Sequence, residues 1–357
     1  MALATIVSVR GSTYRRPGAR LLVPDEGEAI GNLSGGCLEG QVIEIARSVM
    51  ESGECRLELY DLTADDEIVW GWGLGCNGAI EVFVEPAANA VDSAAALREA
   101  ITGERLLAAA TVIESSMEGA VPGARMLVYP GGPRRGSLGD DLLTEAAAGA
   151  VHESLTSGVT EVVELDLAGG GARVFIESLR PPLRLVVCGA GHDAVPLVRA
   201  AAALGWRVDV VDDRSSFLDA GRFPGVRNFI KCEPGEIAER AGIDERSHVV
   251  VMSHNYLRDR DYLRSLLPSR AAYIGMLGPR ARLQRLLDDL GGRGVKPTEE
   301  QLDRVHGPAG VDLGGEGPEE IAAAIVAEVL AVSRGRDAGF LRQRAGPIHQ
   351  RSQPATA

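Results

Sequence analysis

The first half of this 357-residue chain contains an internal duplication, which restricts its fold to two copies of one unit. The segment Pro17–Val23 (PGARLLV) recurs 105 residues later as Pro122–Val128 (PGARMLV). Val82–Glu85 (VFVE) recurs only 92 residues later as Val174–Glu177 (VFIE), so the first copy carries 13 additional residues before its last strand. Each copy predicts strand, turn, strand, helix, strand and strand. Two such units are expected to pack as one α+β domain with a pseudo-two-fold relation.

The two copies differ where glycines and cysteines cluster. At the 105-residue shift, Gly35-Gly36-Cys37 becomes Asp140-Asp141-Leu142, and the additional segment of the first copy includes Trp70–Cys76. Glycine–cysteine loops are typical of functional sites, whereas divergence without function is the alternative explanation. We therefore expect the first copy to hold the chemistry and the second to act as a scaffold.

Cys37 is the first candidate site residue. Leu38, Val42, Ile45 and Val49 follow it at helical spacing, which predicts a helix that begins near Leu38. Free amides at a helix start favour an anion and lower the pKa of a thiol. We predict that Cys37 and Glu39 bind a soft metal or relay sulfur, with Gly35 and Gly36 lining the pocket. The alternative is a small buried cysteine.

Cys76 and Arg20 extend this candidate site. Three glycines surround Cys76 in the segment 73–78, which allows a close approach of the backbone to a ligand or, alternatively, forms a tight turn. Arg20, beside Pro17-Gly18, is suited to phosphate or carboxylate recognition. Its counterpart Arg125 in the second copy makes a structural role the alternative.

A nucleotide-type domain follows the linker Pro181-Pro182. The strand Leu183–Cys188 leads into G-x-G-x-x-A, with Gly189, Gly191 and Ala194, and the next strand ends at Asp212. The acid favours an unphosphorylated ribose, and hence NAD or another nucleotide rather than NADP. His192 within this loop either faces a ligand phosphate or caps the helix.

His254 follows a predicted strand at its carboxyl end, the edge where parallel sheets bind ligands. It is a candidate acid–base or ligand group, with a helix-capping loop as the alternative. The predicted fold class is therefore α/β, with a duplicated α+β domain followed by a Rossmann-like parallel-sheet domain. The predicted boundaries are residues 1–180 (repeats 1–88 and 106–180), 183–335 with a C-terminal helix, and a flexible tail at 336–357.

The composition excludes several classes of function. The formal net charge is −13 and no long basic run occurs, which argues against nucleic-acid and anionic-membrane binding. No apolar stretch is long enough to predict a membrane span, and the first residues do not form a signal peptide. Five scattered cysteines without a C-x-x-C pair predict neither a disulfide framework nor a structural zinc site. We expect a cytoplasmic protein.

Taken together, the motifs resemble those of the XdhC/CoxI family, the xanthine dehydrogenase accessory factors, from about residue 4 to about residue 336. The matching motifs are Arg16–Arg20, Gly35–Glu39, Gly73–Cys76, Gly189–His192, Ser253–Tyr256, Gly275–Arg280, His306–Gly310 and Pro318–Ile321. Two features depart from the family pattern. This chain has Cys76-Asn77-Gly78 where the family commonly has Cys-Gly-Gly, and it starts almost at the first strand, whereas the family often has a helix before that strand.

The resemblance implies a protein that binds molybdenum cofactor (molybdopterin), assists its sulfuration and delivers it to a molybdenum hydroxylase such as xanthine dehydrogenase. It implies a cysteine desulfurase and the apo-hydroxylase as partners, a homodimer, and a maturation factor rather than an enzyme. By position, Cys37 and Cys76 are the implied molybdenum or sulfur contacts.

Two alternatives stay open at the level of the sequence. The chain could be an NAD-dependent oxidoreductase that uses His254 as its acid–base group, with His192 or Asp212 near the nucleotide. It could also be a non-catalytic regulator that senses a nucleotide at residues 189–194 without using either thiol.

Overall fold

The computed structural model describes residues 1–11, 14–36, 38–61, 78–103, 105–132 and 134–344. They form two compact units, the first ending at Pro181 and the second beginning at Pro182. The fold class predicted from the sequence is confirmed, because antiparallel sheets make up the first unit and a parallel Rossmann-like sheet makes up the second.

The first copy of the repeat is an antiparallel sheet that carries one helix. Its elements are β1 (Ala2–Gly11), β2 (Arg20–Val23), β3 (Ile30–Gly31), α1 (Glu39–Ser52), β4 (Arg56–Asp61) and β5 (Gly78–Pro86), in the sheet order β3-β2-β1-β5-β4. Helix α1 buries Val42, Ala46 and Val49, the face that the apolar spacing predicts. Gly53 caps its C-terminus, with a φ of 73° that lies in the left-handed region favoured by glycine.

The second copy repeats this arrangement after the helix α2 (Val91–Thr102). Its elements are β6 (Leu107–Ser115), β7 (Arg125–Val128), β8 (Arg135–Ser137), α3 (Asp141–Ser157), β9 (Glu161–Leu167) and β10 (Gly170–Leu179), in the order β8-β7-β6-β10-β9. The two sheets thus have the same strand order. The sequence pattern did not predict α2 or the short strands β3 and β8.

The two copies pack against each other through matching side chains. Val7 and Phe83 from the first sheet meet Ile113 and Phe175 from the second in one buried cluster. The ring positions are 92 residues apart, as the repeat requires. The apolar centre of the first unit therefore has the same pseudo-symmetry as its sequence.

A reciprocal pair of ion pairs joins the copies as well. Arg20 contacts Glu177 through two hydrogen bonds of 2.9 and 2.5 Å, and Arg125 contacts Glu85 in the same way. Each arginine thus binds the glutamate of the other copy. Glu85 is fully buried, so its charge depends on the arginine for compensation.

The second unit is a parallel sheet with helices on both faces. Its elements are β11 (Arg184–Cys188), α4 (Ala194–Ala203), β12 (Arg207–Asp212), β13 (Asn228–Lys231), α5 (Ile237–Arg240), β14 (Ser247–Val251), α6 (Tyr256–Leu266), β15 (Tyr273–Met276), α7 (Arg280–Gly292), α8 (Glu299–Asp303), β16 (Val305–His306) and α9 (Pro318–Ser333). The strand order is β13-β12-β11-β14-β15-β16. The order reverses between β11 and β14, and this switch point is where ligands bind in such sheets.

The unit is held by one apolar cluster on each face of the sheet. Helices α4 and α9 contribute to the first cluster, and α5, α6 and α7 contribute to the second. Helix α9 is the C-terminal helix that the sequence predicts, and it begins at Pro318, with Pro at the first helical position. Within the described residues, no helix is both long and apolar enough to span a membrane.

Candidate functional site

The carboxylate of Glu39 organises the loop before α1. Its Oε1 accepts hydrogen bonds from the amides of Leu33 (3.0 Å) and Ser34 (2.8 Å). Its Oε2 accepts from the Ser34 hydroxyl (2.5 Å) and from the amides of Gly36 (3.0 Å) and Leu38 (3.2 Å). Burial alone raises the pKa of Glu39, but these bonds from Ser34 and the loop amides lower it to about 2. A group that stays ionised in five hydrogen bonds is suited to holding the loop rather than to transferring protons.

These contacts change the electrostatic interpretation of the loop. The sequence analysis expected free amides around the helix start to favour an external anion. Instead, the amides of Leu33, Ser34, Gly36 and Leu38 already donate to the protein's own carboxylate. Gly36 has a φ of 116°, in the region that glycine favours, so this path of the backbone depends on it.

Both predicted thiols, Cys37 and Cys76, lie outside the described residues, as does the rest of the segment 62–77. Their roles, and the molybdenum contact expected through them, stay predictions. Among the residues that the structure does describe, no group of three or more His, Cys, Asp or Glu side chains could hold a metal ion.

The second copy holds the equivalent loop differently. Thr144 occupies the position of Glu39, and its hydroxyl accepts one amide bond, from Leu138 at 3.2 Å. Its helix has an ordinary cap, in which the Asp140 side chain accepts from the amide of Leu143 at 2.9 Å. The first copy has no side-chain cap at Leu38 and uses Glu39 instead. The two loops therefore differ in construction as well as in sequence.

Arg20 has a structural partner. Its guanidinium binds both oxygens of Glu177 and the carbonyl of Gly18. These contacts agree with a structural role for Arg20, the alternative that its counterpart Arg125 suggested. A Cβ at Gly18, whose φ is 93°, would stand 2.8 Å from the Glu177 carboxylate, so glycine leaves room for this pair. Ligand binding by Arg20 stays a prediction.

In the second unit, the two glycines of the nucleotide motif have different surroundings. Gly189 has a φ of 109°, and a Cβ there would lie 2.6 Å from the Cα of Ser253. The crossing of two loops therefore requires glycine at 189 whether or not a ligand binds. A Cβ at Gly191 would make only an ordinary van der Waals contact, 3.8 Å from Cδ2 of His254, so the space alone does not require glycine there.

Asp212 is fully engaged within the protein. One oxygen accepts from the Ala190 amide (2.8 Å) and from Nη2 of Arg214 (2.8 Å), and the other accepts from the amide (2.9 Å) and Nε (2.8 Å) of Arg214. Although burial raises the pKa of Asp212, these bonds lower it to about 2. A carboxylate has about four acceptor positions, so none is left for a ribose hydroxyl in this conformation.

The two predicted histidines lie at the carboxyl edge of the sheet. His192 is exposed, and its carbonyl accepts from the Val195 amide at 3.1 Å, which forms the turn into α4. His254 is half-exposed, and its Nε2 lies 3.0 Å from Oδ2 of Asp193. Its backbone φ of 55° is unusual for a residue other than glycine. The structure thus connects the two loops through the pair of His254 and Asp193, which the sequence did not predict.

A crevice of about 230 Å³ lies beside His254, at the ends of β14 and β15. Its apolar lining includes Met252 and Leu277, and its charged side chains are Asp259 and Arg282. Sequence reasoning missed Asp259 and Arg282. Their signal was an acid and an arginine within the first turns of α6 and α7, the helices that follow the two strands.

The motif His306–Gly310 is held by Glu328 of α9. The Glu328 carboxylate accepts from the Tyr273 hydroxyl (2.5 Å) and the Gly310 amide (2.8 Å), and it lies 3.2 Å from Nδ1 of His306. Burial raises the pKa of Glu328, but these three partners shift it below its ordinary value. This motif is therefore tied to the packing of α9, a link that spans about twenty residues and is not visible in the sequence.

Comparison with known families matches both units. The XdhC Rossmann domain matches residues 185–329, and the XdhC and CoxI family matches residues 1–61. Among curated proteins, a probable xanthine dehydrogenase subunit from Bacillus subtilis is 31% identical, over 92% of each chain. The molybdenum cofactor insertion chaperone PaoD of Escherichia coli is 24% identical, over 92% of this chain and 82% of its own.

A solved structure is similar over most of the chain. A crystal structure of a xanthine dehydrogenase from Bacillus halodurans matches with a TM-score of 0.77 and 27% identity. The match covers 94% of this chain and 92% of the other. The similarity in fold therefore extends over both units.

Proposed function

This chain belongs to the XdhC and CoxI family, and from that premise we propose that it is an accessory protein that handles molybdenum cofactor. It would bind the cofactor as cargo, assist its sulfuration and deliver it to a molybdenum hydroxylase. The observation that carries the proposal is the alignment of 92% of the chain with a relative named as a molybdenum cofactor insertion chaperone.

The proposed cofactor site is the loop before α1. Thiolates are soft ligands suited to molybdenum and sulfur chemistry, and Cys37 lies between two residues, Gly36 and Leu38, whose amides Glu39 holds. A loop fixed by its own carboxylate supports a preorganised site, because little ordering remains to be done when the cargo binds. We propose Cys37 and Cys76 as the cargo contacts and Glu39 as a positioning residue.

The proposed partners follow from the proposed cargo. A cysteine desulfurase would supply sulfur, and an apo-hydroxylase would accept the finished cofactor. A homodimer in the cytoplasm is part of the same proposal, and copurification from a host that expresses the apo-hydroxylase tests the client assignment.

The direct test measures cofactor retention. We expect Cys37→Ala and Cys76→Ala to lower the molybdenum and pterin that copurify with the chain by about tenfold each, the scale on which changes around a metal site act. The matched control is Cys55→Ala in the same unit, because burial raises the pKa of Cys55 to about 11 and keeps it a thiol. Unchanged retention in both variants would contradict the proposal.

The oxidoreductase alternative has less support from the geometry. Its NAD would need the ribose acceptor that the Asp212 position usually supplies, and that carboxylate is saturated by Ala190 and Arg214. The residues present therefore do not fit a dinucleotide in the usual mode. Calorimetry with NAD tests this directly, and binding followed by turnover of a hydroxy acid would favour the alternative.

A further inference from the structure

The crevice at the ends of β14 and β15 has the composition of a small-molecule site. Its volume of about 230 Å³ greatly exceeds the 30 Å³ or so that one water occupies in the liquid. Met252, Leu277 and Pro279 give it apolar walls, while His254 and Arg282 bring polar groups to the same space. Apolar walls with a few convergent polar groups are typical of ligand pockets.

Arg282 offers unused hydrogen-bond donors to this crevice. Its Nη2 donates to the buried carboxylate of Asp259 at 2.6 Å, and its guanidinium lies 5.6 Å from the ring centre of Tyr256. Among the described residues, its Nε and Nη1 have no acceptor. A guanidinium that one carboxylate fixes from one side presents its remaining donors in a defined direction, which suits the oxygens of a phosphate.

The support for Arg282 is itself well fixed. Asp259 also accepts from the hydroxyl (2.5 Å) and the amide (3.3 Å) of Ser253, the residue directly before His254. The same carboxylate thus positions the arginine on one wall and the histidine loop on the other. Because Asp259 is buried and neutralised by Arg282, the crevice attracts anions through donor geometry rather than through a large net charge.

The β12 side of the switch point, next to this crevice, restricts the size of the ligand. The adenosine ribose of a dinucleotide would lie at the end of β12, where Asp212 has no free acceptor position. A ligand that occupies only the ends of β14 and β15 does not need an acceptor from Asp212. The geometry therefore favours a single ring with one phosphate over a dinucleotide.

We propose that the second unit binds a phosphate monoester of a flat heterocycle in this crevice. Arg282 is the phosphate-binding residue, His254 is a second contact, and Met252, Leu277 and Pro279 contact the ring. A nucleoside monophosphate and a pterin phosphate share this chemistry. The pterin case rests on the proposed function, whereas the nucleotide case does not.

The test is calorimetry on the full chain with AMP, neopterin monophosphate, inorganic phosphate and NAD. We expect at least one of the two monoesters to bind at one site per chain, more tightly than inorganic phosphate or NAD. The better of the two identifies the source of the ligand. Arg282→Lys keeps a charge beside Asp259 but removes the fork of donors, and we expect about tenfold weaker binding.

Two further variants separate binding from folding. Arg285→Gln removes a charge from the same helix at an exposed position outside the crevice, and it should change affinity by less than about twofold because exposed charges are screened. His254→Asn keeps a residue that tolerates the left-handed backbone, and it should weaken binding even if Arg282→Lys lowers stability.

Several results would overturn the inference. They are monoesters that bind no better than inorganic phosphate, equal losses in Arg282→Lys and Arg285→Gln, or a ring carboxylate such as nicotinate binding as well as the monoesters. A chain that retains molybdenum cofactor but binds neither monoester would overturn this inference and leave the proposed function intact.

Discussion

Replacing Glu39 by Gln should open the loop around position 37 without unfolding the first unit. A glutamine has one acceptor oxygen, so it can replace either the two bonds at Oε1 or the three at Oε2, but not both sets. The amide group that stands in for the other oxygen would face N–H donors. We therefore expect two or three charge-assisted bonds to be lost.

The expected loss is about 2 kcal/mol in the free energy of opening the loop. Hydrogen bonds to charged groups contribute about 1.5–3 kcal/mol each, and partial exposure of the loop reduces that sum substantially. Hydrogen exchange measures the effect residue by residue. The amides of Leu33, Ser34, Gly36 and Leu38 should exchange about 30-fold faster in Glu39→Gln, because 1.4 kcal/mol corresponds to a factor of ten.

The control is Glu44→Gln, which removes an exposed carboxylate paired with Arg47 on the same helix. It should leave the exchange rates of those four amides unchanged.

In the wild-type chain the pKa of Glu39 is about 2 against an ordinary 4.5, so its stabilisation of the loop is present above pH 4.5 and is lost as the pH falls toward 2. Exchange that is equal in Glu39→Gln and wild type at pH 7 would refute the reasoning. Faster exchange with unchanged cofactor retention would separate this loop from the cofactor site.

Three further predictions concern buried or saturated carboxylates. Arg125→Met leaves the fully buried Glu85 carboxylate unpaired and should lower the free energy of unfolding in urea by about 3–5 kcal/mol. Arg20→Met, at the equivalent but more exposed pair, should lower it clearly less. Equal losses would contradict the role of burial. Glu328→Gln should lower the stability of the second unit by about 1–3 kcal/mol at pH 7. Because the folded pKa of Glu328 is lowered, that difference should shrink as the pH falls below its ordinary value, which urea unfolding at pH 7 and pH 4 would check. Arg214→Met frees two acceptor positions on Asp212 and should strengthen NAD binding, measured by calorimetry, relative to the wild-type chain; no gain would mean that another feature excludes the ribose.

The sequence was most informative where one face of an element is apolar or where a loop has only one tolerated residue type. The periodic positions of α1 placed its start within one residue of Glu39, and the C-terminal helix expected within 183–335 is α9. The strand, glycine loop and helix at 183–203 also matched, because the crossing at Gly189 leaves no room for a side chain. These features depend on local geometry, which a single sequence records.

The partners of the charged side chains could not be predicted in the same way. Arg282 and Asp259 are 23 residues apart, and Glu328 and His306 are 22 apart, so each pair exists only once the sheet has brought its helices together. Even the local pair of Asp212 and Arg214 was missed, because the dinucleotide motif suggests a ligand for the acid and not a neighbouring guanidinium. Motif reasoning singled out these loops as candidates, but it did not reveal which side chains of the protein occupy them.

The difference between the two copies gives a final test that separates fold from function. In the second copy the side chain of Asp140 caps α3. This helix and its sheet therefore form without a carboxylate that binds the preceding loop as Glu39 does in the first copy. Replacing residues 32–39 (NLSGGCLE) by residues 137–144 (SLGDDLLT) should therefore preserve α1 but start it about one turn earlier, at position 36, because the transferred Asp lies at position 35 and supplies the cap there, while the transferred Thr supplies one loop contact.

The chimera should unfold within about 1 kcal/mol of the wild-type chain, the usual scale of a cap. Its retention of molybdenum cofactor should nevertheless fall to the level of Cys37→Ala, since it lacks both the thiol and the loop that Glu39 holds. A chimera that folds and still retains the cofactor would show that the asymmetry between the copies is divergence without function. Loss of retention together with loss of folding would instead mean that the Glu39 loop is needed for the structure of the first unit, and that the two copies are not interchangeable as scaffolds.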